Sequence, residues 1–222
     1  LKLMKDDRSP AAFRLRLALA SMHVRSGHLP AARQELHLLH HLYGGRDEHL
    51  YNDCWVHCSL GRIEYEWGNL DAATHHLIKA ARQHGGNHVG AAEALLVLAL
   101  VRESAGHAQE ADSLVEQAVS MGTTIGSETV LTRALSLRSR LALMRGRVEL
   151  AVPSPNRSIA GESAVLFLPV EVPLLTEAYR LILLGGGANL REAQTMLEDA
   201  LSFFEKTFSP SLQLPVLCLL AL

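Results

Sequence analysis

One pattern returns about every 40 residues along the chain, and it constrains the fold more than any other feature. Each copy has a turn glycine followed by an alanine, five residues later in four copies and eight residues later in the last. The pairs are Gly27 and Ala32, Gly68 and Ala73, Gly106 and Ala111, Gly146 and Ala151, and Gly185 and Ala193. Seven positions before each glycine lies another small residue: Ala20, Gly61, Ala99, Ser139 and Ala178. Small residues at a fixed period are expected where a helix must approach its neighbour closely.

The apolar residues between the glycines follow the spacing of amphipathic helices, and no segment shows the alternation typical of a strand. We therefore predict an all-α fold: a right-handed superhelix of stacked antiparallel helical hairpins, in about five repeats of about 40 residues. The expected helices are 10–26, 30–43, 47–67, 70–84, 88–105, 108–121, 126–145, 171–184, 190–207 and 210–222. The repeats of this single domain would span 10–44, 47–85, 88–122, 126–152 and 171–208, with 210–222 as a partial last helix.

Capping residues agree with this phasing of the helices. Ser9 and Ser209 each precede a proline, so both are expected to cap the N-terminus of a helix. The glycines at 44–45, at 85–86 and at Gly122 are expected to end the second helices of the first three repeats.

Residues 153–163 break the period. Pro153 and Pro155 prevent the fourth repeat from continuing into its second helix, so we predict a polar loop there. A long loop inside a compact array is either functional or a tolerated insertion, and the sequence leaves both interpretations open.

Composition excludes several classes of function. Hydrophobic residues make up 48% of the chain, which excludes intrinsic disorder. The chain has 21 basic and 23 acidic side chains, and without a basic surplus we expect no direct contact with nucleic acid. No apolar run is long enough for a membrane span, and three cysteines cannot form a disulfide framework. We expect a cytoplasmic protein, present here as a fragment of a larger chain.

The helical pattern resembles the tetratricopeptide repeat. In repeat two, Leu60 and Gly61, then Gly68, Ala73 and Leu77, stand where that family places its Leu-Gly pair, turn glycine, alanine and large apolar residue. Tetratricopeptide units have about 34 residues. The longer units here are similar to the effector-sensing superhelix of the large MalT-type regulators of the LuxR family. That resemblance implies a transcriptional regulator with a nucleotide-hydrolysing switch and a helix-turn-helix domain, but this chain contains no phosphate-binding loop motif.

Several groups of histidine, cysteine and carboxylate residues are candidates for catalytic or metal sites. His37 and His41 are one helical turn apart, with His40 beside them, but no further ligands follow at a recognisable spacing. We therefore expect solvated or capping histidines, no metal site and no specific stabilisation by zinc. Cys54 and Cys58 are expected to pack as small apolar residues. Glu64, Glu66 and Asp71 are expected on a solvated face and no nucleophile accompanies them, so we predict no catalytic residue, no cofactor and no enzymatic activity.

The groove of the predicted superhelix is the candidate binding site. In tetratricopeptide-like arrays the first helix of each pair lines the groove, and the resemblance transfers that role to seven residues. They are Trp55, Arg62, Tyr65, Glu93, Glu103, Arg133 and Arg140. The arginines could bind a carboxylate or stack on a ring of a ligand. Alternatively, they pair with acidic residues of neighbouring repeats and hold the shape of the array.

Two functions fit these predictions. The first is a non-enzymatic binding module, the effector-sensing or interaction region of a MalT-like regulator, which takes a small effector or a peptide in the groove. The second is a general tetratricopeptide scaffold for protein partners in signalling or assembly. In either case the other domains of the full-length chain are expected partners, and the apolar helix 210–222 is expected to allow self-association.

Overall fold

The computed structural model describes residues 9–43, 50–82, 85–153, 170–207 and 209–222. These residues form ten α-helices and one short 3₁₀ helix, and no β-strand occurs among them. The all-α prediction is confirmed, and each predicted helix is present with its ends shifted by a few residues. The α-helices are α1 (Pro10–Arg25), α2 (Leu29–Tyr43), α3 (Leu50–Glu66), α4 (Leu70–Arg82), α5 (His88–Ser104), α6 (Ala108–Thr124), α7 (Glu128–Met144), α8 (Pro173–Leu184), α9 (Gly187–Lys206) and α10 (Pro210–Leu220).

Each helix packs on the helices before and after it in the chain. The odd-numbered helices α3, α5 and α7 also contact one another in sequence, so they form one continuous layer. The last helix, α10, packs on α8, on α9 and on the first helix of the chain. Arg25 at the end of α1 donates from Nη2 to the Ser209 hydroxyl at 2.9 Å, which joins the two ends of the row.

Two sets of small residues, here called the small-residue registers, explain why consecutive helices can pack so closely. The first set lies seven positions before the turn glycines and the second is the alanines that follow these glycines. All ten residues are buried. The five turn glycines have positive φ angles between 65° and 80°, a conformation that glycine adopts without the steric cost of a Cβ atom. The period therefore encodes both the turn between two helices and their close contact.

Two capping predictions are wrong. Gly122 does not end a helix: α6 continues to Thr124, and a Cβ at Gly122 would lie 3.0 Å from the backbone nitrogen of Leu131. This glycine is therefore required by the close approach of α7. Ser209 precedes α10 but makes no side-chain cap, because its hydroxyl accepts the hydrogen bonds of Arg25. Ser9 caps α1 as predicted, accepting from the backbone of Ala12 at 3.2 Å.

In the part of the fourth repeat that the structure describes, no α-helix follows α7. A 3₁₀ turn, Val148–Leu150, follows instead, and Ser139 holds the next segment through hydrogen bonds to both backbone groups of Val152. The predicted loop 153–163 lies outside the described residues apart from Pro153, and the glycines at 44–45 also lie outside them.

Four groups of buried apolar side chains form the core. Three of them connect α1 to α7 continuously, and the fourth joins α8, α9 and α10. Helix α10 keeps an exposed apolar face, with 65% of Leu214 and 49% of Leu217 accessible to solvent. Self-association through this helix stays a prediction. None of the described helices combines the length and the apolar character that crossing a membrane requires.

Candidate functional site

Two adjoining, partly open cavities lie along the layer that α3, α5 and α7 form. The smaller, here called the small inner cavity, has a volume of about 290 Å³ and lies between α1, α3, α5 and α7. Most of the surface of its wall is apolar, although several polar and charged side chains also line it. The lining residues include Ser21, Val24, Trp55, Cys58, Ser59, Arg62, Val89, Glu93, Val97, Thr129, Arg133 and Val170.

The second cavity, here called the large inner cavity, has a volume of about 590 Å³ and extends from α3 to α8 and α10. Arg62 and Val170 line both cavities, so these two residues form part of the boundary between them. The other lining residues include Tyr65, Glu66, Leu100, Arg140, Met144, Glu171, Leu175, Thr176, Tyr179, Leu212, Leu214 and Cys218.

The structure brings six of the seven predicted groove residues to these cavities. Trp55, Glu93 and Arg133 line the small cavity, Tyr65 and Arg140 line the large one, and Arg62 lines both. The seventh, Glu103, lies in a different network. Its carboxylate accepts two hydrogen bonds from the Arg145 guanidinium, which also binds Asp112 at 2.9 Å. Glu103 therefore holds α5 to the C-terminal end of α7 and lines neither cavity.

Arg133 and Glu93 form a buried ion pair between α7 and α5. Nη1 of Arg133 lies 2.5 Å from Oε1 of Glu93, and the two side chains are 3% and 8% exposed. The alternative interpretation of the arginines, pairing across neighbouring repeats, is therefore confirmed for this one. Since removing one partner would leave a buried charge without compensation, the pair is part of the structural framework.

Arg140 pairs with a carboxylate that the sequence interpretation overlooked. Glu171 is fully buried and accepts hydrogen bonds from Arg140 at 3.3 Å, Ser136 at 2.7 Å and Thr176 at 2.5 Å. It thereby connects α7 to the start of α8. A single acidic residue within the apolar stretch 170–175 was the available signal, because a charge there has to find buried partners.

Arg62 occupies a different position from the other two arginines. Burial lowers the pKa of its guanidinium from the ordinary value, and its side chain is 17% exposed at the boundary of the two cavities. Its ion pair with Glu66, one turn further along α3, is long, with 3.8 Å between Nε and Oε1, and the Glu66 side chain is half exposed.

Of the three candidate carboxylates, Glu64 has a structural role. Glu64 is buried and accepts from Arg33 at 2.8 Å and from Asn69 at 2.9 Å, which ties α2 and α3 to the following turn. The expectation of a solvated face is therefore wrong for Glu64, while Glu66 and Asp71 are exposed as expected.

Two of the three cysteines are buried in the core, as predicted. Burial raises the pKa of the Cys54 thiol to about 12 and that of Cys58 well above its usual value. Cys218 is exposed on α10.

We therefore expect one thiol per folded chain, that of Cys218, to react rapidly with an aromatic disulfide reagent and three to react in denaturant. The substitution Cys218→Ser should abolish the rapid phase, because nucleophilic thiolate is scarce at the two buried sites. Rapid reaction of more than one thiol in native protein would contradict this assignment.

A group of histidines between α2, α3 and α4 was not anticipated. His57 is 3% exposed, so the expectation of solvated histidines is wrong for this residue. Its Nδ1 lies 2.9 Å from Nδ1 of His76, and its ring centroid lies 4.7 Å from that of His40. Burial lowers the pKa of His57 to about 3 and that of His76 to about 4, so both rings are neutral at pH 7. Nδ1 of His40 lies 2.8 Å from Oδ1 of Asp53, so the buried carboxylate accepts a hydrogen bond from this ring.

Comparisons with known proteins provide no family assignment. No family model matches the chain, and no match was found among the curated proteins or the solved structures. The resemblance seen in the sequence therefore stays a prediction, and a function has to be argued from the chemistry of the inner surface.

Proposed function

We propose that this chain is a non-enzymatic binding module that holds a small effector on its inner surface. The observation that carries the proposal is the pair of adjoining cavities lined by the first helices of successive repeats. Their volumes, about 290 and about 590 Å³, lie in or near the range of about 300–1,000 Å³ that small-molecule sites occupy.

The lining chemistry favours an effector with an apolar body and an anionic group. Apolar side chains form most of the wall, and the polar groups converge at a few positions, which is the usual composition of a site that orients one small molecule. Trp55 and Tyr65 offer flat surfaces on either side of Arg62 along α3. A guanidinium between two cavities can bind a carboxylate in a bidentate manner while the rest of the ligand fills either space.

The three inner arginines contribute differently in this proposal. Arg133 and Arg140 are engaged with the buried carboxylates of Glu93 and Glu171, so their first role is to hold α5, α7 and α8 in place. Arg62 is the anchor, because it lines both cavities and a ligand in either one can reach its guanidinium.

The same proposal includes the finer architecture and the biological setting. We propose a right-handed superhelix of tetratricopeptide-like hairpins that serves as the effector-sensing region of a MalT-type transcriptional regulator. The ten consecutive helices and the buried small-residue registers support this interpretation. A longer natural chain with a phosphate-binding loop upstream and a helix-turn-helix downstream would distinguish it from a general scaffold.

Arg62→Met should weaken effector binding by about 30-fold or more, because losing a charged contact to a ligand group in a desolvated site typically costs about 2–5 kcal/mol. The measurement is a thermal-shift screen of small aliphatic and aromatic carboxylates, followed by calorimetric titration of any carboxylate that stabilises the protein. Arg62→Lys should lose part of the affinity, since an ammonium group cannot reproduce a bidentate contact.

The matched control is Arg138→Met, which removes a guanidinium from the exposed side of α7, where it pairs with Glu116. Affinity should be unchanged in this variant. Equal binding by wild type and Arg62→Met would place the site elsewhere, and a screen in which no carboxylate stabilises the protein would contradict the proposed class of effector.

A further inference from the structure

We propose that His40, Asp53 and His57 form a binding site for a divalent transition-metal ion of the zinc type. The site lies between α2 and α3, away from the inner cavities, since none of its three residues lines either of them. It is therefore independent of the proposed effector site.

The donor atoms already lie close together. One imidazole nitrogen from each histidine and a carboxylate oxygen of Asp53 all lie within 4.8 Å of one another. Nδ1 of His40 is 2.8 Å from Oδ1 of Asp53, and Nε2 of His57 is 3.6 Å from Oδ2. Ligands of tetrahedral Zn²⁺, with bonds of about 2.0–2.1 Å, stand about 3.3 Å apart. Since the three donor atoms are no more than 4.8 Å apart, shifts of at most about 1.5 Å would complete three ligand positions.

His57 provides a second, independent observation. Its side chain is 3% exposed, and among the described residues Nε2 has no hydrogen-bond partner, since the Asp53 oxygen at 3.6 Å is too distant. An unsatisfied buried polar atom is costly, so native structures rarely retain one without a reason. A cation bound between Nε2 and the carboxylate would satisfy both groups.

The surroundings of His57 resemble the outer shell of a metal site. Its other ring nitrogen, Nδ1, is 2.9 Å from Nδ1 of His76 on α4, so one of the two rings donates to the other. A metal-binding histidine usually donates its second N–H to an acceptor that fixes the orientation of the ring. With Nδ1–H of His57 donated to His76, the Nε2 lone pair is directed toward Asp53.

The chemistry of the donor set indicates which ions fit. Two imidazoles and one carboxylate suit Zn²⁺, Co²⁺ or Ni²⁺, whereas Ca²⁺ and Mg²⁺ prefer sites made of oxygen atoms. Three protein ligands leave a fourth position for water. Because the ligands come from two helices and His76 from a third, the bound ion would hold α2, α3 and α4 together.

The test is calorimetric titration of Zn²⁺ into the full chain, prepared without a histidine tag and treated with a chelator. We expect one ion per chain. His40→Ala and Asp53→Asn should each weaken binding by more than about 100-fold. His76→Gln should weaken it by about 10–100-fold, the usual effect of losing an outer-shell partner. Titration of wild type with Co²⁺ should produce the strong visible absorption of a four-coordinate ion.

The matched control is the double variant His37→Ala/His41→Ala, which removes the exposed pair of histidines one turn apart on α2. Its affinity should stay within about twofold of wild type. Absence of stoichiometric Zn²⁺ binding to wild type would overturn the proposal. So would unchanged binding by folded Asp53→Asn, or binding that is lost in the His37→Ala/His41→Ala control, which would assign the ion to the exposed pair.

Discussion

Arg133→Met should lower the free energy of unfolding by about 3–5 kcal/mol. The substitution removes one partner of an ion pair whose side chains are 3% and 8% exposed, and leaves the buried Glu93 carboxylate without the cation that is hydrogen-bonded to it. Removing one member of a buried pair costs this much because the remaining charge has been desolvated and is no longer compensated. Urea unfolding followed by far-ultraviolet circular dichroism measures the effect.

The double variant Arg133→Met/Glu93→Met is the matched control for this prediction. Replacing both charges by apolar side chains of similar size removes the uncompensated carboxylate, so most of the lost stability should return. Arg138→Met, on the same helix, should cost less than about 1 kcal/mol, because its pair with Glu116 is exposed. A cost below about 1 kcal/mol for Arg133→Met would mean that the Glu93 carboxylate reaches solvent and that this arginine is available to a ligand.

The distinction between structural and binding arginines decides how binding experiments are interpreted. A variant of Arg133 that no longer binds an effector could have lost its fold, so it provides no evidence about the site. Arg62 is more informative, because it lines both cavities. Binding should be compared only among variants whose unfolding free energy has been measured.

Most of the fold could be predicted because it depends on local patterns. A positive-φ turn requires glycine and a close helix contact requires a small residue, so Gly68 and Ala73 identify a hairpin without knowledge of the rest of the structure. Gly122 shows the limit of this reasoning. A glycine at a helix end and a glycine beneath a neighbouring helix look alike in the sequence, and only the approach of Leu131 distinguishes them.

Six of the seven candidate residues line the two cavities, but the sequence does not determine which carboxylate each arginine contacts. The carboxylate that each arginine contacts depends on the rotation and offset of helices far apart in the chain, and a difference of a few ångströms changes the partner. Glu103 was therefore assigned to the wrong network, and Glu171 was overlooked.

The histidine cluster was missed for a related reason. Asp53 and His57 are spaced four residues apart on α3, which places both on one helix face and is a recognisable signal. His40 comes from the preceding helix, and the exposed pair His37 and His41 attracted attention because of its spacing alone. Ligands contributed by different helices meet only in the folded chain, so spacing within one helix finds half of such a site.

Gly61→Leu should lower the free energy of unfolding by at least about 3 kcal/mol. Gly61 lies within α3, where a Cβ atom would stand 2.5 Å from Cγ of the fully buried Leu77 and 3.2 Å from the backbone oxygen of Ala73. Because the contact is with Cγ of a fully buried side chain and with the α4 backbone, relieving it requires α3 and α4 to move apart. Overpacking a core by single methylenes already costs about 1–3 kcal/mol, and leucine adds four carbon atoms.

The smaller substitution Gly61→Ala separates packing from helix propensity. Inside a helix, alanine is more favourable than glycine by about 1 kcal/mol of free energy. A net loss of stability in Gly61→Ala would therefore come from the close contacts of the added Cβ atom. Gly187→Leu is the matched control, because a Cβ there meets only the flexible end of Arg191 at 3.4 Å, and the change should stay within about 0.5 kcal/mol. If urea unfolding showed Gly61→Leu to be as stable as Gly187→Leu, close helix contact would not explain the small-residue register. The period that defines this fold would then need another physical origin.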